Sequence, residues 1–268
     1  MSQGIIIRHE RDRLILELFN FFYDTLGMQK DNGLSKNFFG FLIIHMYGTK
    51  IPYNHHFSSE VNYIIQKEYF NKIKKYRLLD YIDTLGINAL KIYRDSKINT
   101  NWYDKNKKKD INKYSTLHQL YMTEISGAID FYKNDIEETF RKVIDRVAIS
   151  QNIVFEKNDK KIDSQLISNI IYNIFDQKKI EQYLPSIDIG AMLHAKLRWN
   201  KTQKYKQGDF DDIRHATMAL PYYDFLFTER SLRNMIHECK YDKKYNCKVM
   251  SNNEDIIEVL ESLVEKKL

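Results

Sequence analysis

The sequence has few of the residues that interrupt helices, with 3 Pro and 9 Gly among 268 residues. This scarcity favours long helices joined by few turns. Cysteine is rare too, because Cys239 and Cys247 are the only two, and two cysteines cannot build a disulfide framework. With His237 they offer three zinc ligands where a structural site needs four. We therefore interpret both cysteines as small apolar residues.

Long apolar runs are also absent from the sequence. None approaches the roughly 20 residues that a transmembrane helix needs, and the triplet Ile5–Ile7 is shorter than the apolar segment of a signal peptide. We therefore expect a cytoplasmic protein with no membrane partner. Hydrophobic residues still make up 43% of the chain and aromatic residues 13%, which is enough to fill a core and too much for a disordered chain.

The charge balance alone says little about function. The formal net charge is +6 and the isoelectric point about 8.9. Lys and Arg against phosphates give the sequence-independent part of nucleic-acid binding, so this balance is compatible with a polyanionic partner. A charge of this size is also ordinary for the solubility of a chain of 32.2 kDa.

Apolar residues recur at helical spacing along much of the chain. In residues 9–26, one stripe carries Leu14, Leu18, Phe21 and Phe22. The pattern predicts further helices at residues 58–76, 117–149, 164–182 and 186–199. The Lys-rich segment 99–113 is interpreted as a solvated loop, with a phosphate-contacting loop over an active site as the alternative.

From residue 209 onward, the sequence alternates between helix and strand patterns. Asp209, Asp212 and His215 fall on one face of a helix that ends at Pro221. A β-type run at 225–228 ends beside Glu229, and a second short strand is predicted at 247–250, with helices between and after them. Strands connected through helices are parallel, and sites in such sheets form at the carboxyl ends of the strands. We therefore expect the Asp212 and Glu229 carboxylates to reach the same edge.

The order of these residues resembles a known family. The motif Asp209-x-x-Asp-x-x-His215, followed by Ala219-Leu-Pro-Tyr-x-Asp-x-x-x-Thr-Glu-Arg230, is similar to the C-terminal half of PIN-like nuclease domains over about residues 185–265. The resemblance implies an α/β fold with a parallel sheet flanked by helices. The expected organisation is a helical N-terminal region, 1–75, and a PIN-like domain, 76–268, with a helical insertion at about 128–184.

The family has two further acids upstream, and here the sequence leaves alternatives. Asp83, in Ile82-Asp83-Thr84, resembles the first, and Glu124 resembles the second, with a separation of 124 − 83 = 41 residues. The competing pair is Asp24 with Glu60, which we disfavour because Asp24 lies in a strongly helical pattern. If neither pair belongs to the site, the resemblance implies an inactive domain.

The residue types determine the chemistry that the resemblance implies. Several carboxylates share a pocket only with a cation, since like charges raise one another's pKa, and Mg²⁺ or Mn²⁺ prefers oxygen ligands. Such an ion polarises a phosphoryl oxygen and activates water. The implied metal ligands are Asp83, Glu124, Asp212 and Glu229. Asp209 is either an additional ligand or a residue that supports the ligands without binding the metal. His215 is a candidate proton shuttle, or alternatively hydrogen-bonds a carboxylate or packs in the fold.

The resemblance implies a metal-dependent endoribonuclease that cleaves single-stranded RNA, and toxin or defence roles are common in that family. The candidate phosphate-contacting residues are Arg214, Arg230, Lys204 and Lys206, with salt bridges to the acids as the equal alternative for the two arginines. The rival interpretation is a catalytically inactive PIN-like module that binds nucleic acid or a partner protein. The apolar N-terminal helices, residues 9–75, are a candidate interface for a partner protein or a second copy of the chain.

Overall fold

The computed structural model describes residues 5–7, 10–26, 39–41, 56–73, 99–110, 113–151, 164–177 and 183–265. In chain order the described elements are β1 (Ile5–Ile7), α1 (Glu10–Thr25), β2 (Phe39–Phe41), α2 (Ser59–Ile73), α3 (Thr100–Asp110), α4 (Leu117–Phe131), α5 (Lys133–Ser150), α6 (Ser164–Asp176), α7 (Pro185–Trp199), α8 (Gln207–Ala219), β3 (Phe225–Phe227), α9 (Arg230–Glu238), α10 (Tyr241–Lys244), β4 (Lys248–Met250) and α11 (Asn253–Glu265).

The chain divides into two compact units. The smaller unit comprises Met1–His9 and Ser35–Asn99, and the larger comprises Glu10–Leu34 and Thr100–Leu268. In the smaller unit, β1 pairs with β2 in antiparallel register, with Ile6 opposite Gly40. Helix α2 also belongs to this unit, and the Asn62 amide near its start donates to the carbonyls of Phe57 and Ser58.

The first core of the larger unit is made by helices packed on helices. It joins α1, α4, α5 and α6 with one face of α7. The stripe predicted in α1 is confirmed, since its four apolar residues are all buried (Leu14, Leu18, Phe21 and Phe22). Helix α4 starts at a side-chain cap, where the Thr116 hydroxyl accepts a hydrogen bond from the Gln119 backbone N–H.

Helix α7 connects this core to a second one. Pro185 begins the helix, where its missing N–H costs nothing. Buried apolar residues then occupy both faces, with Ile187, Ala191 and Ala195 turned to the first core and Ile189, Leu193 and Leu197 to the second. A helix with two apolar faces is stable only when both faces are covered. Helix α7 is therefore the central element of the larger unit.

The second core contains a pair of parallel strands. Strand β3 pairs with β4 in the register Phe225–Lys248, Leu226–Val249 and Phe227–Met250. Helices α9 and α10 make the connection, and α8 precedes β3. The predicted parallel pairing of these two segments is thus confirmed, and it leaves Glu229 just beyond the end of β3.

The predicted fold class, a PIN-like parallel sheet flanked by helices, is wrong. The described residues are mostly helical, and within them the parallel pairing is limited to β3 and β4. The alternation that suggested the sheet is confined to residues 207–265, whereas the preceding part of the larger unit packs helix on helix. The strand predicted to carry Asp83 lies outside the described residues.

The interpretation of segment 99–113 as a loop is also wrong, because Thr100–Asp110 form helix α3. One face of the helix is packed against the protein, although its many lysines suggested a solvated segment. The Tyr103 ring packs against the rings of Tyr205 and Phe210 at 5.4 and 4.8 Å between centroids, and Lys107 is buried. Across the described parts of the chain, no helix combines the length and apolar composition that crossing a bilayer requires.

Candidate functional site

Two acids from different elements act on each other beyond the end of β3. Asp212 lies in the second turn of α8, and Glu229 is the residue that precedes α9, where its side chain makes no capping hydrogen bond. Burial raises the pKa of Asp212, and the negative charge of Glu229 is the next largest cause. The charge of Glu229 therefore acts on the carboxyl group of Asp212.

The surroundings of Asp212 carry an excess of negative charge. Besides Glu229, the charges of Asp209 and Asp211 raise its pKa, while His215 lowers it. Neither the Asp212 nor the Glu229 carboxylate forms a hydrogen bond or ion pair with another residue that the structure describes. Two neighbouring carboxylates in this state favour an arriving cation, because the cation relieves their repulsion.

Asp209 has a structural role at the start of α8. Its carboxylate accepts a hydrogen bond of 2.7 Å from the Lys206 backbone N–H and is buried, so Asp209 caps the helix. Asp211 pairs with Arg214, whose guanidinium also lies 3.4 Å from Glu10. Arg214, one of the candidate phosphate-contacting residues, therefore forms salt bridges with acids. This was the alternative interpretation of that residue.

The other basic candidates and His215 lie at the surface. Arg230, Lys204, Lys206 and His215 are all exposed. His215 is three residues after Asp212, so it lies one turn further along α8.

Of the upstream acids, Glu124 is engaged by a cation of α7. Glu124, on α4, accepts a hydrogen bond from the Arg198 guanidinium of α7, and Asp83 lies outside the described residues. Of the competing pair, Asp24 belongs to the larger unit and Glu60 to the smaller. Within the described ranges, no group of three or more His, Cys, Asp or Glu is arranged to hold a metal ion.

The sequence analysis missed two buried carboxylates in the larger unit. Asp188, on α7, accepts hydrogen bonds from the hydroxyls of Tyr121 (2.8 Å) and Tyr241 (2.9 Å) and from the Lys244 ammonium (2.9 Å). Glu17, on α1, is the second. Each is an acid on an otherwise apolar helix face, which is the signal that identifies both. Hydrogen bonds satisfy them, so we interpret both as structural.

Lys107 on α3 was missed as well, because it belongs to a run of lysines. Its ammonium donates hydrogen bonds of 2.6 Å to the carbonyls of Leu197 and Gln203, and burial lowers its pKa. It borders a cavity near the C-terminal end of α7. The spacing of Tyr103 and Lys107, four residues apart, is the signal that places both on one face of a helix.

Comparison of the chain with protein families, with curated proteins and with solved structures found no match.

Proposed function

We propose that the chain is a metal-dependent phosphodiesterase that cleaves single-stranded RNA at Asp212 and Glu229. The observation that carries the proposal is the action of the Glu229 charge on the half-buried Asp212 carboxyl, while neither carboxylate has a hydrogen-bonding or ion-pair partner among the described residues. The motif from Asp209 to Arg230 supports the same activity through its resemblance to PIN-like nucleases. The proposal does not require the parallel sheet of PIN-like nucleases.

The pair fits one class of metal ion. Mg²⁺ and the similar Mn²⁺ are commonly held by one or two carboxylates, with water and substrate phosphate completing the shell. Asp212 and Glu229 would hold the ion, which supplies charge stabilisation at a phosphoryl oxygen and a water of lowered pKa. His215, one turn from Asp212, is positioned to carry a proton, and the exposed Arg230, Lys204 and Lys206 would bind phosphates of the strand.

A toxin or defence role and a cytoplasmic location are predictions from the sequence. The rival function, an inactive module that binds nucleic acid, differs in one measurable property, which is cleavage.

The test is cleavage of an end-labelled single-stranded RNA in Mn²⁺ by the wild type, Asp212→Asn and Glu229→Gln. We expect each substitution to lower the rate about 100-fold, since each replaces a charged carboxylate ligand with a neutral amide. Glu261→Gln is the matched control, because Glu261 is exposed on α11, and its variant should keep the wild-type rate.

Titration calorimetry with Mn²⁺ separates metal binding from cleavage. The same two variants should lose Mn²⁺ affinity while Glu261→Gln keeps it. Cleavage that persists in EDTA or in Asp212→Asn would refute the proposal. RNA that is retained in a gel shift but never cleaved would establish the inactive binding module instead.

A further inference from the structure

A small cavity in the larger unit is lined by cations and aromatic rings. Its volume is about 210 Å³, and its walls include Lys107, Tyr114, Arg198, Trp199 and Lys201. The volume is below the roughly 300 Å³ of a pocket for a drug-sized ligand. The cavity therefore suits one phosphate and one planar ring.

Three cations and no carboxylate are among the described residues that line this cavity. Arg198 is paired with Glu124 and lies over the Tyr114 ring, 5.9 Å from its centroid. Lys107 is only 5% exposed, and its two hydrogen bonds go to carbonyls, which carry no net charge. An ammonium has three donors, and within the described residues the third N–H of Lys107 has no acceptor. Asp104 and Asp209 act on Lys107 electrostatically but do not line the cavity. An anion in the cavity therefore meets only cationic and neutral groups, and the cavity favours it.

The aromatic component is Trp199, which borders two cavities. Besides the cation-lined one, it lines a second cavity of about 320 Å³ together with Asn200, Gln203, Ser231 and Asn234. Its side chain is 41% exposed. An exposed indole between two cavities is a surface on which nucleobases stack.

We propose that the cation-lined cavity binds one nucleotide, with its phosphate at Lys107, Arg198 and Lys201 and its base against Trp199. In taking RNA as the source of that nucleotide, the inference rests on the proposed function. The charge of Asp209 acts on both Lys107 and Asp212, and the second cavity borders α9, which begins directly after Glu229. A strand bound at Trp199 therefore lies on the same part of the larger unit as the carboxylate pair.

The test uses Trp199 as the reporter in the full chain. The sequence has two tryptophans, so Trp102→Phe leaves Trp199 as the single one. We titrate this protein in EDTA, without metal, with uridine 5′-monophosphate, uridine and inorganic phosphate. The nucleotide should quench the fluorescence saturably, and uridine or phosphate alone should bind about tenfold more weakly, since each makes only part of the contacts.

Two lysine variants make the comparison specific. Lys201→Gln should weaken nucleotide binding about tenfold. Lys105→Gln should leave it unchanged, because Lys105 is exposed on α3, the helix that carries Lys107, and does not line the cavity. Equal thermal unfolding of both variants shows that the loss is local. A short 5′-phosphorylated oligouridine that binds more tightly than the mononucleotide identifies a strand as the source, and equal or weaker binding identifies a free nucleotide.

Three results would overturn the inference. They are no saturation below about 1 mM nucleotide, inorganic phosphate binding as tightly as the nucleotide, and full affinity in Lys201→Gln. Because the titration contains EDTA, its outcome does not depend on cleavage. Nucleotide binding without any RNA cleavage would leave this site standing and refute the proposed function, and the reverse pattern would refute only this site.

Discussion

Glu17 shows how burial can outweigh several favourable contacts at a single carboxylate. Its oxygens accept hydrogen bonds of 2.6 Å from both the Ser186 and the Tyr222 hydroxyl, and Arg13 lies 3.8 Å away. These contacts favour the charged form, yet burial is the largest effect and raises the pKa of Glu17 to about 7. The pair of Arg13 and Glu17 is fully enclosed beside the first turn of α7.

This raised pKa predicts a pH-dependent stability. A carboxyl group whose folded pKa is raised contributes its full stability below the unfolded value of 4.5 and loses it as pH rises through about 7. The loss for Glu17 is about 3 kcal/mol, at 1.36 kcal/mol per pKa unit. Glu17→Gln carries no titrating group at this position. The unfolding free energy of Glu17→Gln minus that of the wild type should therefore increase by about 2 to 3 kcal/mol from pH 5 to pH 8.

Urea unfolding at several pH values measures that difference. Glu261→Gln is the control, because Glu261 is exposed on α11 and its substitution should change stability equally at every pH. Parallel pH profiles for the wild type and Glu17→Gln would contradict the raised pKa.

At the scale of elements, local sequence patterns predicted most helices correctly. They did not predict which residues form contacts between elements that are distant in sequence. The stripe of α1 and the pairing of β3 with β4 follow from spacing alone. Asp212 and Glu229 come together because only 229 − 212 = 17 residues separate them. The pairing of Glu124 with Arg198 was not predicted, because the two residues are 74 positions apart in sequence. Helix α3 was missed because its covering rings, Tyr205 and Phe210, are also distant in sequence.

Glycines inside two helices of the larger unit permit a test of element stability. Gly190 lies within α7, where an added Cβ would meet the Thr217 methyl group at an ordinary contact distance of 3.6 Å. Gly127 lies within α4, where an added Cβ would meet nothing within 4 Å. Ala in place of either should raise the unfolding free energy by about 0.5 to 1 kcal/mol, because Gly loses more backbone entropy in a helix.

Each glycine variant serves as the control for the other, because both replace a helical Gly with Ala. Denaturant unfolding should show a gain for Gly127→Ala from backbone entropy alone and at least an equal gain for Gly190→Ala, which adds the contact with Thr217. A loss of stability in Gly190→Ala alone would mean that α7 packs more tightly against α8 than the structure shows.

At the scale of the larger unit, the position of α7 explains why the predicted sheet was wrong. A parallel sheet presents two apolar faces for helices to cover. In this protein the central element is α7, a helix with two buried faces. Strands β3 and β4 contribute to the second core. The composition allows both arrangements, since either one buries a similar set of apolar residues. The choice depends on contacts between α7 and α4, which are distant in sequence.

A shared central helix predicts that the two cores unfold together. Leu193 is fully buried in the second core, and Leu193→Ala should cost about 2 to 5 kcal/mol through the cavity it leaves. Native-state hydrogen exchange then compares the amides of Ile125, in the first core, and Ile236, in the second. If the cores are one cooperative unit, both amides lose protection equally.

The matched substitution is Ile171→Ala, which empties a fully buried position in the first core. It should lower the protection of Ile236 as much as that of Ile125. If each substitution instead affects only the amide in its own core, α7 does not couple them. The carboxylate pair, which is attached to the second core through α8 and β3, would then keep its geometry even when the first core opens.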